Sequence, residues 1–249
     1  MSTNYIEKVK RQQSSSWVGY WPLNETSGTA VYNVVTPSVR PITTTPHQNG
    51  TSANLVRTNE ARSFLAPDGS KCARFNGSTS YIDMVAALSS SAISPGTMAA
   101  WVAVPEANLA GTTKMVVWYF AVDGNNVHSV EFDTTANTFK AIHIGAGSSK
   151  TSVGSKVYND IWNKGTPVWH HLATTFTSGG SMAFYIDGLA QTPATSLGTF
   201  AGTYNTALMC LGSDSTTISD PFNGYMAHFV WSNAAFTAAE VAELADARP

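Results

Sequence analysis

The chain is predicted to fold as an all-β, antiparallel β-sandwich closed by a short C-terminal helix. Three observations predict this: a strand of alternating faces at Trp169–Phe176, an Asp-Gly hairpin turn after it, and a run of short strand-like segments with no helical pattern between them. In Trp169–Phe176, Trp169, His171, Ala173 and Thr175 share one face and His170, Leu172, Thr174 and Phe176 the other, as a side-chain period of two requires. Phe184-Tyr185-Ile186 then leads into Asp187-Gly188. That pair tolerates the positive φ angles of a type I′ turn and sends the chain back through Leu189 to Gln191.

The other strands are expected near Val18–Leu23, Ala73–Asn76, Tyr81–Met84, Thr97–Val104, Met115–Asp123, His128–Asp133, Phe139–Ile144, Ser181–Ile186, Ala207–Gly212 and Gly224–Trp231. Asn49-Gly50-Thr51, Ser94-Pro95-Gly96 and Gly145–Ser149 punctuate them as turns. Strands without intervening helices favour an antiparallel sandwich over a parallel sheet. The one helix comes last: Thr237-Ala238-Ala239-Glu240 is a capping box, and Val241 and Leu244 follow on one face. Thr36–Asn54 is rich in Pro, Thr and Asn and is expected to be a loop within the domain.

Composition excludes several function classes. With 249 residues the chain can bury a full core. Only 12% of residues are charged and the formal net charge is -2, so the clustered Lys and Arg of a phosphate-backbone binder are missing and nucleic acid is not expected as a partner. No run of about 18 apolar residues offers a membrane span. Residues 1–16 are polar and lack the apolar stretch of a secretory signal, and are expected to form an arm ahead of one domain at 17–249. The expectation is synthesis in a cytoplasm, followed by retention there or release in an assembly on lysis. Cys72 and Cys210, the two cysteines, show no metal or redox spacing and read as small buried apolar side chains, with a bridge between them left open.

Several segments in order carry a family resemblance. Val18-Gly19-Tyr20-Trp21-Pro22-Leu23-Asn24-Glu25-Thr26-Ser27-Gly28 resembles the opening of laminin G-like, concanavalin A-like jelly rolls. Arg74-Phe75-Asn76-Gly77-Ser78-Thr79-Ser80-Tyr81-Ile82 and Met98-Ala99-Ala100-Trp101-Val102 resemble the next two signatures, and Leu211-Gly212-Ser213-Asp214 and Phe222-Asn223-Gly224-Tyr225-Met226 later ones. The resemblance runs from Trp17 to Leu244 and implies the jelly-roll fold. It leaves function open, since that sandwich hosts lectins, carbohydrate-binding modules, adhesive domains, glycosidases and virion components.

Two departures bear on calcium. Where many relatives carry an aspartate after the opening turn, this chain has Val31-Tyr32-Asn33-Val34-Val35, and Ala227 stands where an aspartate tends to follow the late Asn-Gly. Calcium takes six to eight oxygens with several carboxylates, and the residues left to contribute side chains and carbonyls are Glu25, Asn33, Asp214 and Asp220, so a bound calcium is not expected.

Catalysis has one candidate. Glu131 and Asp133, at i and i+2, lie on one face of a strand, as do the acids of related sandwich glycosidases. Those enzymes add a further glutamate, and Thr134-Thr135-Ala136 follows here, so the pair reads as an acidic strand face and the chain as a non-enzyme. His170 and His171 point to opposite faces and cannot chelate together, and no sequence argument joins His128, His143 and His228.

Binding candidates are aromatic, because sugar rings pack C–H faces on exposed rings while their hydroxyls suit Asn and Asp. They are Trp118 and Tyr119, one of which is expected at a surface, then Tyr158, Asn159 and Trp162, and Tyr204 with Asn205.

Two functions from different classes fit. The first is a structural or attachment module of a bacteriophage virion, present in many copies at the virion surface, joined to capsid or tail proteins through the arm and binding cell-surface glycans. The second is a cellular carbohydrate-binding module or lectin. The first is preferred, because a fold of extracellular type stands here without a secretion signal.

Overall fold

The computed structural model describes residues 5, 8–9, 17–25, 30–32, 50–53, 64–84, 96–105, 114–154, 162–163, 166–177, 179–200, 202, 208–215 and 217–246. In chain order the strands are β1 (Trp17–Trp21), β2 (Ala30–Val31), β3 (Gly50–Ala53), β4 (Ala73–Asn76), β5 (Tyr81–Asp83), β6 (Gly96–Ala103), β7 (Lys114–Asp123), β8 (Asn126–Asp133) and β9 (Thr138–Gly145). They continue as β10 (Ser148–Val153), β11 (Trp162–Asn163), β12 (Thr166–Pro167), β13 (His170–Phe176), β14 (Ser181–Ile186), β15 (Leu189–Ala190), β16 (Ala194–Thr195), β17 (Met209–Leu211) and β18 (Asn223–Ser232), and helix α1 (Ala238–Ala245) ends the series.

Two antiparallel sheets form the sandwich. Sheet I has the order β1-β18-β6-β13-β14-β15, with β4 on β18 and β16 on β14; sheet II runs β10-β9-β8-β7-β17-β5-β3-β2. Met98, Ala100, Val102, Leu172 and Phe176 of sheet I meet Trp118, Phe120, Phe132 and Phe139 of sheet II in one buried core. Burying each large apolar side chain contributes about 1.5–3 kcal/mol, so this layer holds the sheets together.

A second apolar layer covers the outer face of sheet I. Ala99, Trp101, Ala173, Tyr185, Ala227 and Val230 pack there against Phe236, Val241 and Leu244 of the C-terminal region, Cys72, and Tyr5 and Val9 from the start of the chain. With both faces covered, every residue of β6 and β13 is buried. The residues expected as a projecting arm are therefore, where described, part of the domain: Tyr5 and Val9 are fully buried, and Lys8 Nζ reaches Asp246 Oδ2 at 3.7 Å.

The local signals act as read. Asp187 (φ 53) and Gly188 (φ 77) make the hairpin turn, and the Asp187 carboxylate accepts from His171 N at 2.9 Å and lies 2.8 Å from His170 Nδ1, tying the turn to the start of β13. At α1, Glu240 N donates to Thr237 Oγ1 (3.3 Å) and Thr237 N to Glu240 Oε2 (2.7 Å), so the capping box is formed.

Two edges differ from expectation. Gly50–Ala53, placed in the loop, pairs with β5, and Ser148–Val153, placed partly in a turn, pairs along its whole length with β9. Both are poor in apolar and aromatic residues, the side chains that mark strands in sequence. Cys72 and Cys210 are free thiols, and burial pushes each up to about 12, which leaves them protonated and inert.

Candidate functional site

The candidate site is the outer face of sheet II, where cross-strand register gathers the charges. Lys114 stands opposite Asp133, Val116 opposite Glu131, Tyr119 opposite Ser129, and Glu131 in turn opposite Lys140. The register of β7 slips between Val116 and Trp118. Such a bulge inserts one residue and re-aims those that follow. Val117 and Trp118 therefore both enter the core, and Tyr119 turns outward, partly exposed. Trp118 is fully buried and is not a surface residue; of the expected pair, Tyr119 is the one at the face.

Lys114 organises this face. Its Nζ lies 2.9 Å from Asp220 Oδ2 and 3.8 Å from Glu131 Oε2, while Lys140 pairs with Asp133. Burial lowers the Lys114 pKa, but the bond to and charge of Asp220, with Glu131 and Asp214, outweigh it and hold the ammonium charged. Burial raises Glu131, and the two lysines only partly oppose that. Asp133 is lowered, first by its bond to Lys140 and then by the Ala136 amide. Burial and the Asp214 charge raise Tyr119, which keeps its hydroxyl as a donor.

The two carboxylates of this face are engaged within the fold. Glu131 and Asp133 do share a face, yet each faces a lysine, and Asp133 Oδ1 is also committed to the Thr135 and Ala136 amides at 2.9 and 2.8 Å.

The described calcium candidates each have a partner within the protein. Glu25 Oε1 accepts from Tyr32 N at 2.8 Å, Asp214 Oδ1 from Ser219 N at 2.9 Å, and Asp220 holds Lys114. Asn33 lies outside the described residues. Among the described residues no three acidic, histidine or cysteine side chains are grouped to hold a metal. Tyr158, Asn159, Tyr204 and Asn205 also lie outside the described residues, and Trp162 stands opposite Pro167 in the separate β11–β12 ribbon.

A polar chain on the other face was not anticipated. A bulge in β18 between Ala227 and Val230 holds His228 at φ 57. Its Nδ1 is 2.6 Å from Tyr20 Oη and its Nε2 is 3.1 Å from Asp68 Oδ2 and 3.3 Å from Ser70 Oγ; beside it, Tyr5 Oη is 3.2 Å from His171 Nε2. The order Tyr-His-Asp resembles a relay, but Tyr20 is buried and burial, with the Tyr5 and Asp68 charges, raises its pKa far above the usual value. It locks the outer layer in place. No periodicity in the sequence joins residues so distant.

Residues 76–242 match the model of the concanavalin A-like lectin/glucanase superfamily. The chain belongs to that superfamily. No curated protein sequence matches it. Among solved structures, the botulinum neurotoxin serotype D ligand-binding domain in complex with N-acetylneuraminic acid superposes with a TM-score of 0.60 at 10% identity, over 94% of this chain and 51% of that one. The serotype D binding domain gives 0.59 at 9% over 94% and 51%, and Trypanosoma rangeli sialidase with the inhibitor DANA 0.60 at 12% over 91% and 32%. The lectin/glucanase-like chain thus spans 51% of those toxin domains and 32% of the sialidase, and at these identities the likeness is one of fold.

Proposed function

We propose that this concanavalin A-like protein is a non-enzymatic glycan-binding module, carried in several copies at the surface of a particle, with a bacteriophage virion as the particle and cell-surface glycans as the ligands. The observation that carries the binding reading is the outer face of sheet II, where Tyr119 stands beside paired carboxylates and ammonium groups. An aromatic ring supports the C–H face of a sugar, and oriented charged groups take its hydroxyls. Binding through one such shallow face is weak per copy, and several copies on one particle multiply it into useful avidity. Docking to capsid or tail proteins falls to surfaces other than Tyr5 and Val9, which this domain buries.

The toxin binding domains and the sialidase among its neighbours favour a second reading, a module of a secreted glycan-active protein. Glycan-array binding of the intact chain, beside its Tyr119→Ala variant, tests the shared claim. Binding that falls about fivefold or more with Tyr119→Ala supports it, a stacking contact being worth on the order of 1 kcal/mol; no binding, or turnover of any polysaccharide, defeats it. Mass spectrometry of purified particles separates the two readings, and absence of the chain from every fraction removes the virion.

A further inference from the structure

His128 of β8 and His143 of β9 stand directly opposite each other in the ladder, and both are fully buried between the sheets. Their ring centroids are 5.8 Å apart at 64°. The His128 ring stacks on Phe176 of sheet I at 4.3 Å, and its Nε2 lies 2.8 Å from Thr174 Oγ1, so one side chain bridges sheet II to sheet I. His143 approaches Phe176 and Phe200, each at 5.5 Å between centroids. His128 Nδ1 has no partner in the protein. Two imidazoles without further donors fall short of what zinc takes, so the pair is not read as a metal centre.

What the geometry carries is an argument about charge. The groups facing the pair are Thr174 and Phe176 of β13, Phe200 and the Gly198 backbone of the following segment, and the two rings themselves. Among the described residues no carboxylate acts on either ring to offset a proton. We propose that His128 and His143 are an acid-operated latch between the sheets: neutral rings close the sandwich, and protonating either one releases β8 and β9 from β13.

Burial holds both rings neutral. It depresses His143 to about 4, slightly opposed by the Gly198 backbone, and depresses His128 well below the usual value, with His143 adding to the effect. In the unfolded chain the same imidazoles take up protons near pH 6.5. The unfolded state thus binds more protons below that pH. The stabilisation is complete above about 6.5 and is lost as the pH falls toward the folded values, with the unfolding constant rising about tenfold per pH unit for each histidine. His171, on the outer layer, is depressed by burial to about 3 and adds a third proton at a separate place, with Asp187 opposing and His228 reinforcing the shift.

Urea denaturation of the full chain at steps from pH 7 to pH 5, above the carboxylate range, reads the number of protons taken up on unfolding. The double variant His128→Phe, His143→Phe should lose nearly two of them, so that its unfolding constant rises by up to about 100-fold less per pH unit than the wild type's. If the double variant fails to fold, the single variant His143→Asn should lose one. Hydrogen exchange at pH 5.5 against pH 7.5, corrected for intrinsic rates, should show protection lost first in β8, β9 and β13. An unchanged proton count, or protection lost uniformly over both sheets, overturns the latch. Neither readout involves a glycan, so failure here leaves the binding proposal standing.

Discussion

The outer faces of the two sheets are built oppositely. That of sheet I lies under a layer of aromatic, histidine and helix side chains and ties Tyr20, His228, Asp68 and Ser70 together inside the fold, whereas that of sheet II carries Lys114, Glu131, Asp133 and Lys140 paired across strands at partial exposure. A sealed face contributes stability; a charged, half-open face contributes little of it and is free for recognition.

Five substitutions can break or sharpen that contrast, all read by equilibrium denaturation. Trp101→Ala empties a fully buried site against His171 and should cost about 3–5 kcal/mol, so a loss below 1 would mean the covering layer is loosely held. Tyr20→Phe leaves His228 Nδ1 without its partner inside that layer, for about 1–3 kcal/mol. The same chain sets an acid limit. Burial alone would raise Asp68, but its bonds to and charge from His228, and the Ser70 bonds, hold it well below the usual carboxylate range. Its contribution is therefore present above about pH 4 and lost at lower pH, and Asp68→Asn should flatten that limb of the stability curve. Thr237→Ala removes the cap of α1 for about 1 kcal/mol. Glu131→Gln on the open face should change stability by less than about 1 kcal/mol either way, and a larger loss would assign sheet II's charges to the fold instead.

What was legible in the sequence was local. The Asp187-Gly188 turn, the Thr237–Glu240 box, most strand positions and the shared face of Glu131 and Asp133 follow from neighbours two or three residues apart. What was hidden depends on residues far along the chain. The bulge that sends Trp118 inward shows only against β8, and Tyr5 looks like a stray aromatic in a polar stretch until His171, 166 positions later, comes beside it. The His128–His143 pairing is set by the length of the β8–β9 turn, which a period-two pattern does not report. The lysines that neutralise the acidic strand were invisible for the same reason.

The contact between Lys8 and Asp246 brings the two extremities of the described fold together over sheet I. A group attached at the exposed Asp246 side chain hangs from that one side like a handle. The molecule therefore has a back and a front: immobilisation through Asp246 leaves Tyr119 and its charged neighbours looking away from the support.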